Sequence, residues 1–326
     1  MTVRINKQKI NLREKLAETE EHINAEQSLT ALNETTKNID INNLYTNGEH
    51  IRNSGNVVNN RFVPFGPHAR VLDLANTPID GGSIDADLKG FIGGFTDGRY
   101  GYFAPYNNGS PYGKIARVDL NDFSSVSMLD LTQTDADLKG FISGFTDGRY
   151  GYFVPENNGV YHGKIARVDL NNFSSVSALD LTQTDADLKG FHGGFTDGRY
   201  GYFVPYYNGS YYGKIARVDL SNFSSVSMLD LTQTDAGLKG FISGFTDGRY
   251  GYFVPHYNGS YHGKIARVDL NNFSSVSMLD LTQTDADLKG FSGGFTDGRY
   301  GYFVPNNNGA RHGKIARIQL FNGGNL

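Results

Sequence analysis

The segment FTDGRYGYF starts at Phe95, Phe145, Phe195, Phe245 and Phe295, a strict 50-residue period. GKIAR recurs from Gly113, Gly163, Gly213, Gly263 and Gly313, and SSVSxLDL fills the linkers between copies. A period of this length restricts the chain to a solenoid, a propeller or another array, because one repeat cannot bury its apolar face alone. No recognisable chemistry lies outside the repeat, so fold and function both have to be read from it.

Each repeat parses into four short strands. LKGFIGGFT (88–96) is the first, and Asp97-Gly98 supplies the tight turn that such a dipeptide favours between strands. RYGYFAPY (99–106) is the second, rich in aromatic residues, and NNGSPYG (107–113) is a loop. KIARVDL (114–120) is the third strand, and after NDFSS the segment VSMLDL (126–131) is the fourth. The composition agrees: 41 Gly for turns, with 22 Phe and 20 Tyr to supply buried area in place of Trp and Cys, which are absent.

Four antiparallel strands per repeat define a propeller blade. The second and third strands occur five times, but the fourth occurs only four times within the array. The segment HARVLDL (68–74) matches SVSMLDL and precedes the first copy, while the chain stops just after the fifth third strand. The expected fold is therefore all-β: a five-bladed β-propeller over 61–326, its ring closed by the N-terminal strand. Residues 1–60 form a separate helical or extended segment. Leu12, Leu16 and Ile23 recur there at roughly helical spacing, predicting a solvated helix over 11–36, and 39–60 reads as linker.

A formal net charge of −4 excludes the basic stripe of a nucleic-acid binder. No run is apolar enough to span a bilayer, and the polar N-terminus lacks the apolar core of a Sec signal peptide. With no Cys, there is neither a disulfide nor thiolate chemistry.

The run GGFTDGRYGYFVPY, then GKIARVDL, then VSMLDL, resembles the blade repeat of YVTN-type propellers over some 260 residues. That resemblance implies a fold, not an activity. TVRINKQKINLREKL is similar to the N-termini of structural proteins of tailed bacteriophages, particularly marine ones. It implies a virion or extracellular location, with residues 1–60 attaching the propeller to a larger assembly.

The copies differ mainly at two places. One is the loop after the second strand: Tyr106, Asn107 and Tyr112, then Glu156, Tyr161 and His162, then Tyr206, Tyr207, Tyr211 and Tyr212. The fourth copy has His256, Tyr257, Tyr261 and His262, and the fifth has Asn306, Arg311 and His312. The other place is early in the first strand, where Ile92, Ile142, His192, Ile242 and Ser292 correspond. Antiparallel strands bring both places to one face of a propeller, with the first strand innermost. Flat residues with hydrogen-bonding tips are the chemistry of paratopes and sugar sites. These residues are the candidate ligand-binding set, and the expectation is a non-enzymatic, lectin-like module with five equivalent sites for a glycan or cell-surface receptor.

A protein–protein scaffold using the same face is the alternative, and whether the chain forms a homo-oligomer stays open. Solvent-exposed drift would also vary loops, but it should have touched the opposite face, which barely changes. Asp135 and Asp137 are read as loop carboxylates capping backbone N–H groups, since Gly237 replaces the second one in a later copy. His162, His262 and His312 belong to different blades and cannot converge on a metal. Asp97 is explained by its turn, and no nucleophile–base set or phosphate loop appears. No catalytic residue, metal or cofactor is expected.

Overall fold

In the computed structural model the described residues are Leu44–Thr46, Glu49–Ile51 and 70–320. Val71–Leu326 is one compact unit and Met1–Arg70 another. Within the latter, Leu44–Thr46 pairs antiparallel with Glu49–Ile51, a short hairpin where a linker was expected. The helix expected over 11–36 lies outside the described residues.

The compact unit is a five-bladed β-propeller. The first blade comprises Phe91–Thr96, Tyr100–Pro105, Lys114–Asp119 and Val126–Asp130, paired antiparallel in that order. The next three blades repeat this arrangement at the 50-residue offset. First strands of successive blades neighbour one another, so they form the inner layer. Asp97 and its equivalents shape the strand 1–2 turn: Oδ1 accepts from Arg99 N and Tyr100 N, and the Tyr102 hydroxyl donates to Oδ2 at 2.7 Å. Gly98, at φ +96°, takes the left-handed conformation this turn demands.

Blades are joined by one recurring contact. Phe95 stacks on Tyr102 of its own blade at 5.1 Å, then reaches Phe153 of the next at 5.6 Å. A Cβ on Gly144 or Gly151 would lie 2.9 or 2.5 Å from that ring, so only glycine leaves room. Phe145, Phe195 and Phe245 repeat the insertion against the glycine pairs of the following blades. Arg117 adds a second link, its guanidinium lying 4.6 Å over Tyr100 and 4.2 Å over Phe173 of the next blade.

The junction between the fifth and first blades is different. The fifth sheet has three strands, Phe291–Thr296, Tyr300–Pro305 and Ala316–Gln319. The strand expected at 68–74 does not add to it. Its described part, 70–74, forms no strand, and Leu72 and Leu74 pack instead against Val118 and Val126 of the first blade. Ile79 then bridges Val126 in parallel, with Asp80 N donating to Val126 O at 2.8 Å. The match to SVSMLDL nonetheless has a physical basis. Leu72 and Leu74 cover the first blade on the face that, in the second blade, is covered by Leu129 and Leu131. Among the described residues no phenylalanine of another blade stands beside Gly94 or Gly101, and Phe295 is 56% exposed where Phe145 is 8%.

This contrast sets an expectation for stability. Phe145→Ala removes a buried ring from a filled junction and should cost about 3–5 kcal/mol. Phe295→Ala should cost less than about 1 kcal/mol, as an exposed side chain does. Urea unfolding midpoints of the two variants test the difference, and equal losses would contradict it.

Candidate functional site

Pairing of Phe91 with Pro105 places the start of the first strand beside the loop that follows the second strand. Asn107 N donates to Gly90 O at 3.1 Å, and Gly140 N donates to Tyr112 O at 3.1 Å, tying each loop to its own and the next first strand. The two variable places therefore share one end of the propeller. The frame of each loop is constant: Asn158 Nδ2 donates to Asp137 O at 3.1 Å, and the equivalent bond recurs in all five copies, whereas Asn157 Oδ1 accepts from Gly159 N at 2.9 Å only where the copy has Asn at that position.

The position varying early in the first strand is where the ladder slips. Register shifts separate Phe141 from Ser143, Phe191 from Gly193, Phe241 from Ser243 and Phe291 from Gly293. Ile142, His192, Ile242 and Ser292 are thus bulge residues, freed from pairing and re-aimed. In the first blade the shift spans Phe91 to Gly94 and includes Ile92.

The candidate residues divide into three layers. Tyr112, His162, Tyr212, His262 and His312 lie beneath the surface, each edge-on to the phenylalanine opening its first strand. His162 and His262 are only 7% and 8% exposed, and neither ring nitrogen has a hydrogen-bond partner. Burial pushes both down from 6.5 to about 4. His162, Tyr212 and His262 are buried and Tyr112 and His312 half-buried, and all five pack on that phenylalanine.

Above them runs a ladder of half-buried tyrosines. Tyr161 meets Tyr207 at 5.4 Å, Tyr207 meets Tyr211 at 4.9 Å, Tyr211 meets Tyr257 at 5.2 Å and Tyr257 meets Tyr261 at 5.0 Å. Every contact is edge-to-face, the geometry the ring quadrupole favours. The ladder crosses the second, third and fourth blades. It stops where the first blade offers Asn107 and Pro111 and the fifth offers Asn307 and Arg311, the latter hydrogen-bonded to Asn306.

Nearer the inner layer is a mixed cluster. Tyr206 lies 5.0 Å from His192 and 6.2 Å from His256, and His256 lies 5.7 Å from Tyr261. His192 Nδ1 donates to Ile242 O at 3.1 Å, and His256 Nδ1 to Phe291 O at 2.8 Å. Carbonyl partners require the proton on Nδ1, which in the neutral ring leaves Nε2 as an acceptor. Burial lowers the pKa of both rings. The Tyr106 hydroxyl donates toward Glu156, whose Oε2 is buried without a partner, and burial raises the pKa of that carboxyl. Burial, then Glu156, pushes Tyr106 up to about 12.

Five equivalent sites are therefore not what the structure presents. One carboxylate, two imidazoles and five ladder tyrosines make the face asymmetric. The constancy of the opposite face also has an internal cause. Its turns hold the Asp97–Tyr102 bond and the Phe173 that covers Tyr102 and Arg117 of the preceding blade. Invariance there follows from packing.

The Asp135–Asp137 pair does more than cap. Asp135 Oδ1 accepts from Asp137 N at 2.9 Å, as expected, but both carboxylates also hold Lys164 Nζ, at 2.8 and 2.7 Å. Hydrogen bonds to Asp135 first, then Asp137, push Lys164 up to about 12. In the fourth copy, where Gly237 stands, Lys264 keeps Asp235 alone at 2.8 Å. The only sequence signal for this ion triad was that the lysine of GKIAR and the DAD motif recur together. Among the described residues no group of three His, Cys, Asp or Glu side chains could hold a metal ion, and no helix is long and apolar enough to cross a membrane.

No protein-family profile and no curated protein sequence matches the chain. Among solved structures it is similar to the WD40 repeats of RRP9, at 9% identity and a TM-score of 0.50, covering 72% of this chain and 62% of that one. It is also similar to Kuenenia stuttgartiensis hydrazine synthase, at 14% identity and a TM-score of 0.49, covering 74% and 69%. At 9% identity the likeness to RRP9 describes the fold alone, and the chain spans less than two thirds of that structure.

The buried histidines set a pH expectation. Their folded pKa lies below the unfolded value, so the unfolded state binds more protons and stability falls as pH drops from 6.5 to about 4. The loss should reach about 3 kcal/mol per histidine at the lower limit. Tyrosine fills this position in the first and third copies, so combining His162→Tyr with His262→Tyr should flatten this part of the profile. Urea midpoints at neutral pH and near pH 4.5 measure it, and an unchanged slope in the double variant would refute it.

Proposed function

We propose that this propeller is a non-enzymatic binding module whose variable end holds a glycan chain. The fold itself suits a binding or scaffold role. The tyrosine ladder from Tyr161 to Tyr261 carries the finer reading. Five half-buried aromatic rings in an unbroken line over three blades suit stacking against sugar rings, and tyrosine hydroxyls suit bonding to ligand hydroxyls. Such a line fits an extended oligosaccharide better than five separate monosaccharides. His192, Tyr206 and His256 supply polar groups at its inner margin. No residue set on this face resembles a nucleophile with its base, and the turns at the other end are occupied by structural bonds.

The similarity of residues 2–16 to tailed-phage structural proteins supports a setting in which residues 1–60 attach the propeller to a virion and the ladder faces outward to a host surface. Docking of a protein partner on the same end is the competing reading, favoured by the mixed polar and aromatic character that interfaces share.

A glycan array probed with the full chain tests the proposal. Binding to a defined set of oligosaccharides is expected, and Tyr211→Ala with Tyr261→Ala should weaken it about tenfold or more, equivalent to about 1.4 kcal/mol. A silent array, together with a protein captured through the same tyrosines, would replace the glycan by a protein partner.

A further inference from the structure

The cluster between the first, second and third blades contains a carboxylate with an unusual set of neighbours. Glu156 stands where the other copies place Tyr106, Tyr206, His256 and Asn306. Its Oε2 is buried with no hydrogen-bond donor among the described residues, none of which forms an ion pair with it. Lys164 is held by Asp135 and Asp137, and Arg311 hydrogen-bonds Asn306. The groups around Glu156 are aromatic. The Tyr106 hydroxyl donates toward it, and Tyr161 and Tyr206 lie within electrostatic reach. A carboxylate with tyrosines around it and one oxygen lacking a donor is complementary to an ammonium group, which the aromatic rings attract and which donates a hydrogen bond to the carboxylate.

Resting on the glycan reading above, we propose that the ligand is an amino sugar with a free amine, bound once per chain with that amine against Glu156. His192 and His256 fit the same ligand. Each gives its Nδ1 proton to a backbone carbonyl, so each neutral ring presents Nε2 as an acceptor for a sugar hydroxyl. The inner cluster is thus a set of acceptors awaiting donors, and Tyr161 joins it to the ladder. Only the second blade carries the carboxylate, so the stoichiometry is one.

Titration calorimetry of the full chain with a glucosamine oligosaccharide and with its fully N-acetylated counterpart tests this directly. The expected result is one site per chain and at least about tenfold tighter binding of the free-amine form, a margin of about 1.4 kcal/mol. Glu156→Gln should weaken binding of the free-amine form about tenfold or more and so erase that preference, while the urea midpoint shows the variant folded. Equal affinity for the two forms, a stoichiometry of five, or a preference that survives Glu156→Gln would overturn the inference. Equal binding of both forms would leave the glycan reading standing. Binding of ethylammonium that depends on Glu156, with no binding of either oligosaccharide, would retain an amine site and remove the sugar. Silence towards all three probes would remove both.

Discussion

The phenylalanine that leaves each first strand and enters the next blade holds this propeller together. Phe95, Phe145, Phe195 and Phe245 each stack on a tyrosine of their own sheet, then fill a slot kept open by two glycines of the following one. Burying such a ring contributes roughly 1.5–3 kcal/mol, and any side chain on the facing glycines would expel it. The glycines of GGF or SGF and of RYGYF are therefore part of the blade–blade interface, beyond any role in turns. The constraint explains why the inner half of every blade is uniform. It also explains why variation is confined to the end away from these insertions.

That confinement gives the site its form. The loop after each second strand is pinned at fixed points, by Asn158 to Asp137 and by Gly140 to the loop's end, so its backbone is the same in every copy. Substitution at positions equivalent to 106, 107 and 111 changes chemistry without moving the chain. The bulge does the same for the position equivalent to 92, which owes nothing to strand pairing. A repeated scaffold with a few free positions can build an asymmetric surface, and here it does. The tyrosine ladder occupies three blades, with a single carboxylate at the margin.

Strands, turns and blade number were legible in the sequence because each rests on a local signal repeated five times: the Asp97-Gly98 turn, the aromatic run, the alternation in KIARVDL. The fate of 68–74 was not. Matching VLDL to MLDL marked the segment as part of the propeller, but pairing with the fifth sheet depends on the edge offered by Ala316–Gln319, which no local pattern encodes. The hairpin at Leu44–Ile51 was missed because its composition resembles a linker. Within the candidate site, sequence comparison grouped Tyr112 and His162 with the exposed residues because they vary together. Their contacts with Phe91 and Phe141 set them apart.

The contrast between the two ends of the propeller also changes what variation means. Comparison of copies alone treats the constant end as a control, so change at the other end reads as selection for binding. The structure removes that control, since Phe173 must cover Tyr102 and Arg117, and Asp97 must receive the Tyr102 hydroxyl. Those turns could not have drifted without loosening the blades. What remains as evidence for binding is the arrangement of the varied residues. Relaxed loops would scatter polar and apolar side chains independently in each blade. Instead, tyrosines at two positions per loop meet across two blade boundaries, Tyr161 with Tyr207 and Tyr211 with Tyr257. A contact across a boundary requires matched choices in two different copies. The coupling of neighbouring blades, more than their variability, is the reason to look for a ligand there.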